Sequence, residues 1–326
     1  MKLQILVPQY KETDDIVKPL LDSIAIQQNV DLKKDVGVII VNDGSDVRLS
    51  DGLLNNYPFP IEYHINDHKG VSATRNTCLD HATADYVMFC DADDMFYNAC
   101  GLYILFREMD LTKFDTLISV FVEETRVPQT KEIVYINREM DSTFVHGKVH
   151  RRQYLIDNNI RWNDSLTIHE DSYFNCLCQQ LAPDVKYCQT PFYLWRWRDD
   201  SVCRRDPKYI LKTYNNMLDS NTALVTELIR RDKVSQAQQY ATSMIFDAYF
   251  TMNKDEWINQ ENKAYRTATE ARFKQYYEKF EYLYKTIQPE VKTQIIMGIK
   301  NRMYAEGLVM ESITFDTWIK SIIEKY

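Results

Sequence analysis

The chain has 326 residues, 45% of them hydrophobic and 26% charged, with a net charge of −8; that length buries a substantial core, and that composition excludes a disordered or fibrous chain. The acidic balance opposes non-specific attraction to nucleic acid, which draws on clustered Lys and Arg. Pro8 ends the first apolar run, Leu3 to Val7, well short of a signal peptide or membrane span, so a soluble chain with no integral span is expected, cytoplasmic, at the inner membrane face, or in a host's cytoplasm if virus-encoded.

Leu3 to Val7 and Val36 to Val41 are nearly continuous apolar stretches, the pattern of parallel strands buried on both faces. Between them Ile16, Val17, Leu20, Leu21 and Ile24 mark one helical face, and Pro19 fits that helix only in its first turn. Ile61 to Asn66 and Tyr86 to Cys90 predict two further strands, separated by a helix from Ser72 to His81. This alternation predicts an α/β fold with a mostly parallel central sheet, whose ligands bind beyond the C-terminal ends of the strands.

From Phe114 to Asn137 two strands are expected around the turn Arg126-Val127-Pro128-Gln129, then a helix from Arg151 to Asn158. Thr167 to Leu181 predicts a polar approach and a helix, and Val185 to Trp197 a strand-like aromatic stretch. The basic strings, Lys148 through Arg152 and Arg196, Arg198, Arg204 and Arg205, read as solvated or ion-paired faces. Seven cysteines without a CxxC repeat predict reduced thiols, and Cys176 and Cys178 on one helix point apart, against a zinc site. After Asp206-Pro207 long helical patterns dominate. The expected organisation is an α/β domain over 1–205 and a helical C-terminal domain or arm over 206–326, with aromatics as packing positions and helices that could join copies into a homo-oligomer.

Asp91-Ala92-Asp93-Asp94 follows a strand and presents carboxylates at i and i+2; a hard divalent cation with phosphate oxygens suits such a loop, although Asp also favours plain turns. Asn42-Asp43-Gly44-Ser45 is either a base or ribose contact or a Gly-centred turn. In Gly70 to Asn76, Ser72 is placed to cap a helix, and Arg75 either faces a diphosphate or holds a neighbouring carboxylate. His169-Glu170-Asp171 opens a helix, so its acids either complement the helix dipole or take a proton from an attacking hydroxyl.

Together these strings resemble the family 2 glycosyltransferases of the GT-A fold, through Val7-Pro8-Gln9-Tyr10 with Glu12, Val41 to Ser45, Gly70 to Asn76, Phe89 to Asp94, Gly147-Lys148 with Arg151, Glu170-Asp171 and Tyr193 to Val202. The resemblance implies inverting transfer from a nucleotide-diphosphate sugar, a UDP-sugar in preference, with Mn²⁺ or Mg²⁺. By position it implies that Pro8, Tyr10, Glu12, Asp43, Arg75, Asp91, Ala92 and Asp93 bind the nucleotide sugar, that Asp93 and Asp91 hold the metal, and that Asp171 is the base. Lys148, His169, Glu170, Trp195, Arg198 and Ser201 would lie near the acceptor or donor sugar. Two departures stand out: Asn42 replaces the usual Asp, and no His follows His169, leaving diphosphate and water, Asp199 or Asp200 to complete the metal shell.

The acceptor is expected to be a cell-surface or lipid-linked glycan. Alternatives are a modified DNA base, against which the acidic charge argues, or a protein, and, from another class, a non-catalytic nucleotide-binding scaffold.

Overall fold

The computed structural model describes residues 1–139, 141–199, 201, 206, 208–305 and 313–326. Asp200, Val202, Arg204, Arg205 and Pro207, named above, lie outside them, as does Cys203, one of the seven cysteines. The chain forms two compact units, Met1–Ser201 and Val202–Tyr326.

The first unit begins β1 (Leu3–Gln9), α1 (Asp14–Ala25), α2 (Leu32–Asp35), β2 (Val36–Asn42), α3 (Asp51–Leu54), β3 (Ile61–Ile65), α4 (Val71–His81) and β4 (Tyr86–Phe89). β5 (Met95–Phe96), α5 (Gly101–Leu111), β6 (Thr116–Ser119), β7 (Phe121–Arg126), β8 (Ile133–Arg138) and β9 (Lys148–Arg151) follow. α6 (Arg152–Asp157), α7 (Glu170–Leu181), β10 (Val185–Cys188) and β11 (Tyr193–Trp195) complete it. A seven-stranded sheet runs β10-β6-β9-β4-β1-β2-β3, and a four-stranded sheet runs β5-β11-β7-β8.

The large sheet is parallel except at β9, which runs antiparallel to both β4 and β6. Leu3, Ile5, Leu6, Val7, Val38, Ile39, Ile40 and Val41 are all buried, as continuous apolar runs between two helical layers must be. Val17, Leu20, Leu21 and Ile24 bury the inner face of α1. Pro19 is the sixth residue of that helix, in its second turn, so the first-turn expectation is corrected: the Asp15 carbonyl goes without its helical donor.

Three further expectations change. Phe114 to Asn137 holds three strands, because the chain leaves the large sheet at Val120 and enters the small one at Phe121; the predicted turn joins only β7 to β8. Val185 to Trp197 is likewise two strands in different sheets, parted near Pro191. Of the two readings of the string from Lys148, the ion-paired one holds at Arg151, which pairs with Asp115, and the solvated one does not hold: Lys148 and His150 are buried, and Arg152 Nε donates to the Ala84 carbonyl at 3.0 Å.

The second unit is helical: α8 (Tyr209–Arg230), α9 (Val234–Met252), α10 (Asp255–Ile258), α11 (Lys263–Thr286), α12 (Pro289–Ala305) and α13 (Phe315–Lys325). Tyr214, Phe246, Tyr249, Phe250, Tyr276 and Tyr277 are buried within it, and Tyr214 donates to Asp247 at 2.8 Å. Among the described residues no helix is long and apolar enough to cross a membrane. Cys78, Cys90, Cys176, Cys178 and Cys188 are buried free thiols, and Cys100 is an exposed one.

Candidate active site

The loops after β1, β2 and β4 meet at one sheet edge because three adjacent parallel strands deliver them there. After β1, Pro8 is half-buried and Tyr10 is exposed, stacked on His68 with ring centroids 4.7 Å apart. Glu12 folds back to accept from the Tyr10 backbone N–H at 2.5 Å. Burial pushes its carboxyl above the usual range, against that bond.

After β2, the buried Asp43 carboxylate accepts from the backbone N–H groups of Lys69, at 2.9 Å, and Gly70, at 3.0 Å, and lies 2.8 Å from His68 Nδ1. It thus ties the β2 loop to the start of α4. Gly44 has φ +69° beside it, and a Cβ there would come within 2.4 Å of the His68 nitrogen, so the close approach requires glycine. The amide at Asn42 has a use: Nδ2 donates to Val47 O at 2.7 Å and to the Tyr63 hydroxyl at 3.1 Å, while Oδ1 accepts from Ser45 N at 2.7 Å. A carboxylate could not make the two donations. Beyond these strand ends lies a cleft of about 650 Å³ lined by Gly44, Arg48, Asn66, His68 and Lys69.

Ser72 does not cap α4. Gly70 is its N-cap residue, and the Ser72 hydroxyl, inside the first turn, donates to Leu166 O at 3.0 Å. One turn on, the buried Arg75 joins two loops: Nη2 donates to Asp91 and Nη1 to Glu170, both at 2.8 Å, and the guanidinium lies 4.5 Å from the Trp162 ring centre. Burial works against its charge, but Asp91 and Glu170 outweigh burial and push its pKa up. Of the two readings of Arg75, the structure shows the carboxylate-holding one.

Glu170 and Asp171 open α7 behind His169, which holds left-handed backbone at φ 61°. Burial pushes the His169 imidazole down to about 4. Asp171 accepts from the Ser172 backbone N–H at 2.8 Å. Burial first, then the charge of Glu170, raise its carboxyl to about 7, with Arg75 opposing. The buried Lys148 ammonium donates to the carbonyls of Phe144 and His146; burial lowers it to about 8, against Asp141 and Asp171.

In the tetrad, Asp91, Asp94 and His146 each offer one ligand atom, and those atoms lie within 4.8 Å of one another. Two carboxylates and an imidazole suit a divalent cation such as Mn²⁺. The surroundings fit as well: burial, then Asp93 and Asp91, push Asp94 well above the usual carboxylate range, so a positive charge is wanted there. Tyr193 donates to Asp94 at 2.5 Å and Arg196 N at 2.9 Å, fixing the carboxylate. His146 stacks on Phe144 and on the half-buried Trp195. Asp93 is not in the cluster; its carboxylate pairs with Arg198 at 3.0 Å, and burial followed by Asp91 raises its pKa. Ala92 is buried between them. Ser201 meets this region through its backbone, donating to Arg198 O at 3.2 Å. Asp199 accepts from Arg126 and from the Trp197 indole N–H.

His146 lies upstream of His169, whereas the family resemblance implies a histidine ligand late in the chain. Its one signal was adjacency to Gly147-Lys148.

The family model described as Glycosyl transferase family 2 matches residues 4–169. The glycosyltransferase GlyA of Streptococcus pneumoniae is 26% identical over 227 residues, covering 62% of this chain and 32% of GlyA. The uncharacterized glycosyltransferase YibD of Escherichia coli is 30% identical over 227 residues, covering 62% of this chain and 63% of YibD. This chain thus spans less than two thirds of either relative. The crystal structure of Staphylococcus aureus TarS 1-349 in complex with UDP superposes with a TM-score of 0.63 at 16% identity, covering 96% of this chain and 94% of that one. With half of its length matched by the family model, the chain belongs to glycosyl transferase family 2.

Proposed function

We propose that the chain is an inverting glycosyltransferase that moves a sugar from a nucleotide-diphosphate sugar, a UDP-sugar in preference, to an acceptor hydroxyl on a cell-surface or lipid-linked glycan. The observation that carries the proposal is the Arg75 bridge, which joins the Asp91 loop to Glu170, the residue before Asp171, and so supports a base near carboxylates suited to a cation.

In this reading the acceptor oxygen attacks the anomeric carbon while an Asp171 carboxylate oxygen takes the hydroxyl proton. The bond from that carbon to the diphosphate oxygen breaks, and the nucleoside diphosphate leaves with the electron pair. A single displacement inverts the carbon. A carboxyl held at about 7 is poised to accept a proton near neutral pH. Asp91, Asp94 and His146 would hold Mn²⁺ or Mg²⁺, which when bound offsets the charge developing on the leaving diphosphate. Asp93 is proposed to join them when its pair with Arg198 opens. Pro8, Tyr10 and Glu12 form the nucleotide side, with Asp43 shaping it through the turn before α4. Lys148 orients the His146 loop, while His169, Glu170, Trp195 and Ser201 border the sugar. The glycan acceptor is supported by a relative 26% identical over 185 residues, named poly(ribitol-phosphate) beta-N-acetylglucosaminyltransferase TarS.

The test is transfer and donor hydrolysis across a panel of nucleotide sugars with Mn²⁺. Asp171→Asn is expected to lose about 100-fold or more in turnover while donor binding still raises its melting temperature. Full turnover in that variant sinks the base assignment, and no response to any nucleotide sugar sinks the donor class.

A further inference from the structure

β8 is the outer strand of the four-stranded sheet, and all six of its residues are exposed, including Ile133, Val134, Tyr135 and Ile136. A flat apolar edge of this kind is a template for another strand and is normally blunted by charge or proline. Here the strand itself carries neither between Ile133 and Asn137. From this edge we infer that two copies of the chain pair through β8, antiparallel and about a two-fold axis at Tyr135.

The register follows from the backbone and from charge. In the β7·β8 ladder Val127 N donates to Glu132 O, in register with the pairs Thr125↔Val134, Glu123↔Ile136 and Phe121↔Arg138. An antiparallel strand alternates the direction of its polar backbone groups. Glu132, Val134, Ile136 and Arg138 therefore turn theirs toward β7, and Ile133, Tyr135 and Asn137 turn theirs to the free edge. A second β8 can bond to that edge only in registers that join outward-facing residues. With Tyr135 opposite itself, Ile133 meets Asn137 and Glu132 meets Arg138, while Lys131, left-handed at φ 64° with its N–H bonded to Val127 O, belongs to the turn before the strand. The acid and the base that flank the apolar centre then face each other across the two copies. Moving the axis to Val134 or Ile136 satisfies the backbone equally but sets Glu132 against Ile136, or Val134 against Arg138. Arg138 already gives its Nε to Glu123, and its guanidinium keeps further donors for the partner. Like charges opposite one another are destabilising and opposite ones favourable, so charge selects the Tyr135 axis.

The test uses the full chain. Sedimentation over micromolar to hundreds of micromolar is expected to show a monomer–dimer equilibrium. Glu132→Lys sets like charges against Arg138 at two symmetry-related places and is expected to weaken association about tenfold. Adding Arg138→Glu reverses the pair and restores association to within about threefold of the parent. Tyr135→Pro removes an outward N–H and no β7 bond, and is expected to give a folded monomer by circular dichroism. In a Cys100→Ser, Cys203→Ser background, cysteines are introduced singly at 134, 135 and 136. Only Tyr135→Cys should oxidise to a cross-linked dimer, since a directly opposed pair has Cα atoms about 5.5 Å apart, within disulfide reach. A chain monomeric throughout, a dimer indifferent to the charge swap, as pairing through the C-terminal helices would give, or cross-linking at 134 or 136 overturns the inference.

Discussion

Arg75 shows how one buried side chain turns separate strings into a site. Two charge-assisted bonds and a stacked ring hold its guanidinium, and a lysine ammonium can reproduce neither the fork nor the stack. Arg75→Lys is expected to cost about 2–3 kcal/mol in denaturant unfolding, and to lower turnover because Asp91 and Glu170 drift apart. Asp171 carries a second prediction, in two parts. As the base it must be ionised, so the transfer rate should fall roughly tenfold per unit below a midpoint near its pKa of about 7. For stability the sign is opposite to that of an ion-paired aspartate. The folded carboxyl keeps its proton up to about 7 whereas an unfolded Asp releases it at about 3.9, so stability falls as pH rises through that window. Asp171→Asn removes the ionisation with little change of shape. Its melting temperature should exceed the parent's by a few degrees at about pH 8 and match it at about pH 4; an unchanged difference at both pH values would contradict the raised carboxyl. That Asp91, Asp93 and Asp171 stand at loop ends near one sheet edge was legible from the strand pattern, whereas which carboxylates cluster was not: Asp94 and His146 join Asp91, while Asp93 pairs with Arg198. The job of Asp43 was not legible either, since its partners are backbone groups of a turn some 26 residues on in sequence.

At the scale of elements, β1, β2 and β4 were legible because a strand buried on both faces has to be written in continuous apolar residues. β9 was not. Lys148-Val149-His150-Arg151 has the composition of a surface, yet the strand lies inside the large sheet between β6 and β4. Its polar side chains are matched individually: Lys148 with two carbonyls, His150 with Thr116, and Arg151 with Asp115. Burial drives the His150 imidazole down to about 3, so it sits neutral there. This antiparallel insertion is what brings His146 to the tetrad, and the entry depends on Gly147. Its φ is +65°, and a Cβ would come within 2.5 Å of the Ser119 hydroxyl, which itself donates to Gly147 O. Gly147→Ala is therefore expected to cost about 1–3 kcal/mol and to weaken Mn²⁺ binding by moving His146. Calorimetric titration of the metal, set beside a melting curve of the same variant, checks both. Normal Mn²⁺ affinity in a destabilised Gly147→Ala protein would show that the loop does not position a ligand.

The whole chain is two compact units, and every residue proposed for donor and cation lies in the first, Met1–Ser201. Each unit has its own buried core: the two faces of the large sheet in one, and Leu218, Val225, Ala241, Ile245, Phe273, Phe280 and Trp318 in the other. Chains built of two units with separate cores commonly depart from two-state unfolding. Scanning calorimetry is expected to resolve two transitions. A ligand that binds only the native first unit stabilises it by RT ln(1 + [L]/Kd), about 2.7 kcal/mol at a hundredfold excess over Kd. UDP with Mn²⁺ should therefore raise one transition and leave the other in place. The assignment of the responding transition can be made with His146→Ala, which removes a proposed cation ligand from the first unit. In that variant the nucleotide-dependent rise should shrink while the unresponsive transition stays where it was. If both transitions move together with ligand, or a single transition carries the whole heat, the helical unit is energetically part of the site, and acceptor recognition would then be sought in its residues as well as in the loops around Asp171.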